Sequence, residues 1–127
     1  MERRFILGIA ILSLVLALTI GTAIGMKAIH KPAEESLTKA AQFAVAGDME
    51  QAIPLARGAY ARWQKYRSIT AAFADHNPMD DTERLFREML IYAETGEEPH
   101  FAACCSQLSA MLRATYETHS FSLRNIL

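Results

Sequence analysis

The residues of this chain best suited to chemistry are two adjacent cysteines, four histidines and one aromatic–basic run. Cys104 and Cys105 stand side by side. Neighbours on a helix point about 100° apart, so such a pair neither bridges itself easily nor shares a metal. Two thiols also fall short of the four ligands of a structural zinc site. The expectation is that Cys105 packs as a small hydrophobe and that Cys104 sits at a helix boundary. The chemical alternative is redox: a vicinal or intermolecular disulfide, which would matter if this part of the chain is exported.

His30, His76, His100 and His119 show no close metal-ligand spacing, neither His-x-x-His nor His-Glu-x-x-His. His76 stands out because Asp75 precedes it and Asp80 and Asp81 follow within a turn. Its ordinary role is a cap on the dipole at a helix C-terminus; metal binding or proton transfer with Asp80 or Asp81 is the chemical alternative. In Trp63-Gln64-Lys65-Tyr66-Arg67, Trp63 and Tyr66 share one helical face while Arg57 and Lys65 lie toward the other. That is the pattern of core packing beneath a solvated basic face. Glycine-rich phosphate loops and a Gly-x-Ser-x-Gly elbow are absent. No cofactor is called for.

These residues must be positioned by helices, because no stretch alternates with period two. Phe5 to Met26 is uncharged throughout, with Glu2-Arg3-Arg4 in front. At about 1.5 Å per residue it is long enough for a hydrocarbon core of about 30 Å. It predicts a single-pass membrane anchor behind a tail of residues 1–4. The competing reading is a cleaved signal ending at Ala23-Ile24-Gly25, but signal cores are shorter, about 7–15 residues. Arg3 and Arg4 favour a cytoplasmic amino terminus, whereas Lys27, Lys31 and Lys39 behind the span pull the other way. The order of basic residues, then apolar run, favours a cell-membrane protein with its main domain, 27–127, outside.

Setting aside Glu2, Arg3 and Arg4 leaves 11 basic and 13 acidic residues, a net charge of −2. No basic field points to nucleic acid. About a hundred residues suffice for one small core. Pro32, with Glu34 and Glu35 behind it, opens a helix that Gly47 ends. Asp48 caps the next, with Gln51 in capping-box position. Its buried stripe is Ala52, Leu55, Ala56, Ala59, Trp63, Tyr66, Thr70 and Phe73, with a kink or irregular first turns expected from Pro54 and Gly58. Asn77 and Pro78 start a third helix on Thr82, Leu85, Phe86, Met89, Tyr92 and Ala93, ending at Gly96. Asp80, Asp81 and Glu83 at its start can attract the basic face of the helix before it. Pro99 opens a fourth on Phe101, Cys105, Leu108, Leu112, Thr115 and His119. The fold class is all-α: one transmembrane helix followed by a three- to four-helix bundle.

The tail Ser120 to Leu127 stays apolar through Phe121, Leu123, Ile126 and Leu127, where free termini are normally polar. It is expected to dock on its own bundle or on a partner. The amino-terminal span, Gly47-Asp48 before a long helix, Trp63, Asp75-His76 and Asn125-Ile126-Leu127 together resemble a family of small bacterial membrane proteins known as domain of unknown function 4363. The adjacent cysteines, Pro54 and Gly58 depart from its pattern. The resemblance implies an anchored, exported helical domain with no assigned activity, and makes Trp63, His76 and Asn125 the positions to test. The leading functional reading is a non-enzymatic interaction or structural module, self-associating or bound to a membrane protein. The alternatives are an accessory or ligand-sensing subunit of a larger membrane complex, and a thiol/redox or metal-dependent enzyme.

Overall fold

The computed structural model describes the backbone of residues 2–70 and 76–126 and the side chains of 2–70 and 79–117. Four helices account for it: α1 (Glu2–Val45), α2 (Met49–Thr70), α3 (His76–Thr95) and α4 (Glu98–Ile126). There is no strand among the described residues. Short turns at Gly47 and Gly96 make α1 and α2, and α3 and α4, antiparallel. α1 packs on α2 and α4, α3 packs on α4, and α2 meets α3 more sparingly, so the bundle closes up-down-up-down.

Two glycines end helices for a shared reason. Gly47 has φ +82° and Gly96 φ +72°, the left-handed region a residue with Cβ enters only at a cost. At Gly47 the Asp48 N–H reaches back to the Phe43 carbonyl at 2.8 Å, and the Gly47 N–H to that of Ala44 at 3.0 Å. Those two bonds are the Schellman closure. Glu97 repeats the first of them onto Tyr92 at 3.0 Å. Asp48 then caps α2, accepting the Gln51 N–H at 3.3 Å and the Gln51 side-chain amide. The expected cap is therefore present, though Gln51 reaches the Asp48 carboxylate rather than its backbone.

Pro32 does not open a new helix. α1 runs 44 residues without a break and carries Pro32 inside it, and α2 likewise carries Pro54. A proline within a helix frees the carbonyl four residues earlier. Here those carbonyls belong to Ala28 and Glu50, both exposed residues, so the freed acceptors lie on the outer side. Packing of the opposite face holds the helix through the interruption: Ala23, His30, Ala33, Glu34 and Leu37 are all buried.

The core is built from small residues around a few large ones. Phe86, Phe101, Leu37, Met89, Leu108 and Cys105 are fully enclosed. His30 and Tyr66 meet edge-on with ring centroids 4.4 Å apart, which sets the α1–α2 register. Counting away from that contact brings Ala33 opposite Trp63, Leu37 opposite Ala59, Ala40 opposite Ala56 and Ala44 opposite Ala52, all buried. Alanine on one or both sides lets the two backbones approach closely. On α4 the buried face follows the expected stripe to Leu112 and then turns to Tyr116, leaving Thr115 exposed. The 3.6-residue period drifts, and Thr115 returns its hydroxyl to the Met111 carbonyl at 2.9 Å instead.

By length and composition α1 is long and apolar enough to cross a membrane, with mean hydropathy 2.5 over its apolar window and none of that window buried. Phe5, Leu7, Leu12 and Leu18 are all well over half exposed. From Ala23 onward the same helix is part of the bundle.

Candidate functional site

The bundle holds two polar clusters between helices. The more enclosed one ties α1 to α4. Glu34 is buried and receives Nε of Arg113 at 3.1 Å, with a second bond from Nη2 to the same oxygen. One turn on, Thr38 donates to the Glu34 carbonyl at 3.0 Å. Its hydroxyl lies 2.7 Å from that of Ser109. The Ser109 hydroxyl also lies 3.3 Å from the Glu34 carbonyl, so both hydroxyls converge on that acceptor. Four-residue spacing on both helices, Glu34/Thr38 against Ser109/Arg113, makes the pairing possible.

The guanidinium–carboxylate contact raises the Arg113 pKa. Burial pushes the Tyr116 hydroxyl up, with the Glu34 carboxylate adding to the effect and Arg113 opposing it. A groove of about 530 Å³ runs beside this cluster, lined by Thr38, Gln42, Val45, Ser106, Ala110 and Arg113 among others. Every charge within the cluster is matched, so it fastens the helices in register rather than presenting a reactive group.

The second cluster joins α2 to α3. Glu83 is buried, accepts the Tyr60 hydroxyl at 2.6 Å and Nε of Arg87 at 3.1 Å, and faces Arg67 at 3.3 Å. Arg67 also pairs with Asp80 at 3.0 Å and places its guanidinium 5.6 Å from the Trp63 ring centre. Burial raises the Tyr60 pKa, and the bond to Glu83 raises it further. The attraction across the rims expected for the acidic start of α3 is therefore made by Arg67.

Trp63 is 3% exposed and packs within the core, stacked on Tyr60 at 6.5 Å and tilted against Phe86 at 5.5 Å between ring centres. It is a packing residue. The cysteines are both free and both buried, and Cys104 lies in the second turn of α4 rather than at its boundary. Burial pushes the Cys105 thiol up to about 12, with Cys104 adding to it, and burial also raises Cys104. Thiolate formation is opposed at both. His76 is the first residue of α3, and Pro78 falls inside the first turn where proline is tolerated. The His76 side chain lies outside the described residues. The aspartates considered for it are engaged elsewhere, Asp80 with Arg67 and Asp81 with Arg84. No group of three or more potential metal ligands occurs among the described residues. The side chains of Asn125 and Ile126, and Leu127 altogether, also lie outside them; the α4 backbone is helical to Ile126.

Reading the sequence alone missed Glu34, Ser109 and Arg113. Their signal is a pair of polar residues four apart on each of two otherwise apolar faces, visible only once the antiparallel register is known.

The family model described as domain of unknown function (DUF4363) matches residues 25–126. The chain belongs to that family. Its domain thus comprises the bundle half of α1 and the three helices that follow, and nearly all of the apolar segment lies before it. No curated protein and no solved structure matches the chain.

Proposed function

We propose that this member of the DUF4363 family is a single-pass membrane protein whose helical domain serves as a non-enzymatic interaction or structural module. Its amino terminus is cytoplasmic and the bundle stands outside the cell membrane. One observation carries the reading: the first half of α1 exposes a continuous set of large aliphatic side chains, while the second half of the same helix is built into a packed bundle. In water that exposed surface would be a severe liability, and in lipid it is an anchor. The charges of the polar clusters are paired within them, and burial opposes thiolate formation at both cysteines, which favours a scaffold over a reaction centre.

The second reading, an accessory subunit of a larger membrane complex, is favoured by the groove between α1 and α4. Val45 at its edge is 81% exposed, an apolar side chain available to a partner.

Topology and partnership are tested together. Glu97→Cys in the exposed turn before α4 should react with an impermeant maleimide on intact cells. Labelling only after lysis would return the bundle to the cytoplasm. Recovery of a stoichiometric membrane partner in mild detergent would favour the accessory-subunit reading over the stand-alone module.

A further inference from the structure

The four helices lose their charges at one common level. On α1, Lys27 and Lys31 are the first charges after the apolar run. On α2 the last charge is Arg67, one residue beyond Tyr66 and so level with Ile29 by the His30–Tyr66 contact. On α4, Thr38 faces Ser109 and Glu34 faces Arg113, so four residues forward on α4 are four residues back on α1. Continuing that register brings Glu117, the last acidic residue of α4, level with His30. On α3, Asp80 is the first charge, and it pairs with Arg67. A plane through Lys27–Lys31, Arg67, Asp80 and Glu117 therefore divides charged bundle from nearly uncharged bundle.

Below that plane the helices continue. α2 adds Ser68, Ile69 and Thr70, and Ile69 is 70% exposed. α4 adds residues 118–126, whose only charged side chain is that of Arg124. The same register places Ile126 level with Gly21, inside the apolar run of α1. From the level of Lys27 to that of Gly21 is six residues, about 9 Å of helix. Elements lying in the boundary between headgroups and acyl chains are buried by about 5–10 Å. A single arginine is compatible with such a boundary, because its long aliphatic stem lets a guanidinium reach headgroups. Besides Arg124, the helices carry His76 on α3 and His119 on α4 on this side of the plane.

We infer that the membrane-proximal end of the bundle is itself immersed in the bilayer boundary. The carboxyl-terminal turns of α4 and the end of α2 around Ile69 contact phospholipid, and Lys27, Lys31, Lys65 and Arg67 lie in the headgroup layer. The domain is then seated in the membrane surface rather than held off it on a stalk. This rests on the anchoring of α1, and the experiment separates the two.

Nitroxides are attached singly at Ile69→Cys and Asn125→Cys in the full chain carrying Cys104→Ala and Cys105→Ala. The labelled protein is reconstituted in vesicles of phosphatidylcholine and phosphatidylglycerol. Collision rates with oxygen, which enriches in lipid, and with a water-soluble nickel chelate are compared with labels at Leu12→Cys and Glu50→Cys. The expected result at both test sites is an oxygen-to-nickel ratio severalfold above that of Glu50→Cys and below that of Leu12→Cys. Ratios equal to Glu50→Cys would overturn the inference, as would exclusion of both quenchers, which marks protein interior. A water-like ratio at Leu12→Cys would instead overturn the anchoring. Where a labelled variant loses its cooperative melt, Ser68→Cys and Ser122→Cys replace it and must give the same ordering.

Discussion

The two halves of α1 share one backbone geometry and opposite surroundings. Before Gly21 the helix carries Leu, Ile, Val and Phe on all sides, and nearly all of them are exposed. Between His30 and Val45 its buried apolar residues are Ala33, Leu37, Ala40, Ala41 and Ala44, nearly all alanine. Lipid rewards apolar area all round the helix, whereas a neighbouring helix rewards closeness, which small side chains permit. Side-chain size, rather than hydrophobicity alone, separates the exposed apolar half from the packing half.

The contrast breaks most visibly at large core residues. Trp63→Ala should destabilise the bundle by about 3–5 kcal/mol, because it empties the space opposite Ala33 and removes the ring contacts with Phe86 and Tyr60. Leu12→Ala, in the other half of α1, should leave the cooperative melt of the bundle unchanged. Chemical denaturation of both variants in one detergent decides it, and a comparable loss in the two would show that the halves are not distinct.

Enlargement tests the size argument itself. Ala40→Leu adds apolar surface but must push α1 from α2, and should cost about 1–3 kcal/mol. The same change placed at Ala17, in the exposed half, should cost the bundle nothing measurable. A stabilised Ala40→Leu would mean the α1–α2 seam is loose.

The polar fastening is smaller. Arg113→Ala strands the buried Glu34 carboxylate and should cost about 2 kcal/mol, discounted because Arg113 is itself half exposed. Arg84→Ala breaks only the exposed pair with Asp81 and should cost under about 0.5 kcal/mol. Equal losses would place the Glu34 cluster at the surface.

The sequence announced these elements unevenly. Helix ends were legible where a single residue carries the chemistry: Gly47 and Gly96 at left-handed caps, Asp48 and Gln51 at a helix start. Trp63 was legible as core from its spacing. Pro32 misled, because a proline breaks a helix only if the freed carbonyl and the packing cannot accommodate it, and both depend on neighbours distant in sequence. The Glu34–Arg113 cluster was hidden for a similar reason, since residues 79 apart meet only through the antiparallel return of α4.

The faintest effect expected is on pH dependence. Cys105 holds its proton more tightly folded than unfolded, its pKa being raised from about 9 to about 12. Its contribution to stability is therefore complete below about 9 and is lost as pH rises toward about 12. Cys105→Ala should flatten the alkaline limb of the stability curve above pH 9 and leave the neutral region parallel to it. An unchanged alkaline limb would show that the thiol is accessible in the folded state.

The unbroken passage of α1 from apolar anchor to packed bundle is tested most directly by amide hydrogen exchange of the full chain in lipid nanodiscs, followed peptide by peptide across residues 18–36. Every exchangeable amide there should be slow, including those flanking Gly25 and Pro32, with no minimum between the two halves. A fast-exchanging stretch between Gly25 and Pro32 would contradict the account, because it would mean a flexible hinge and a bundle free to turn on its anchor.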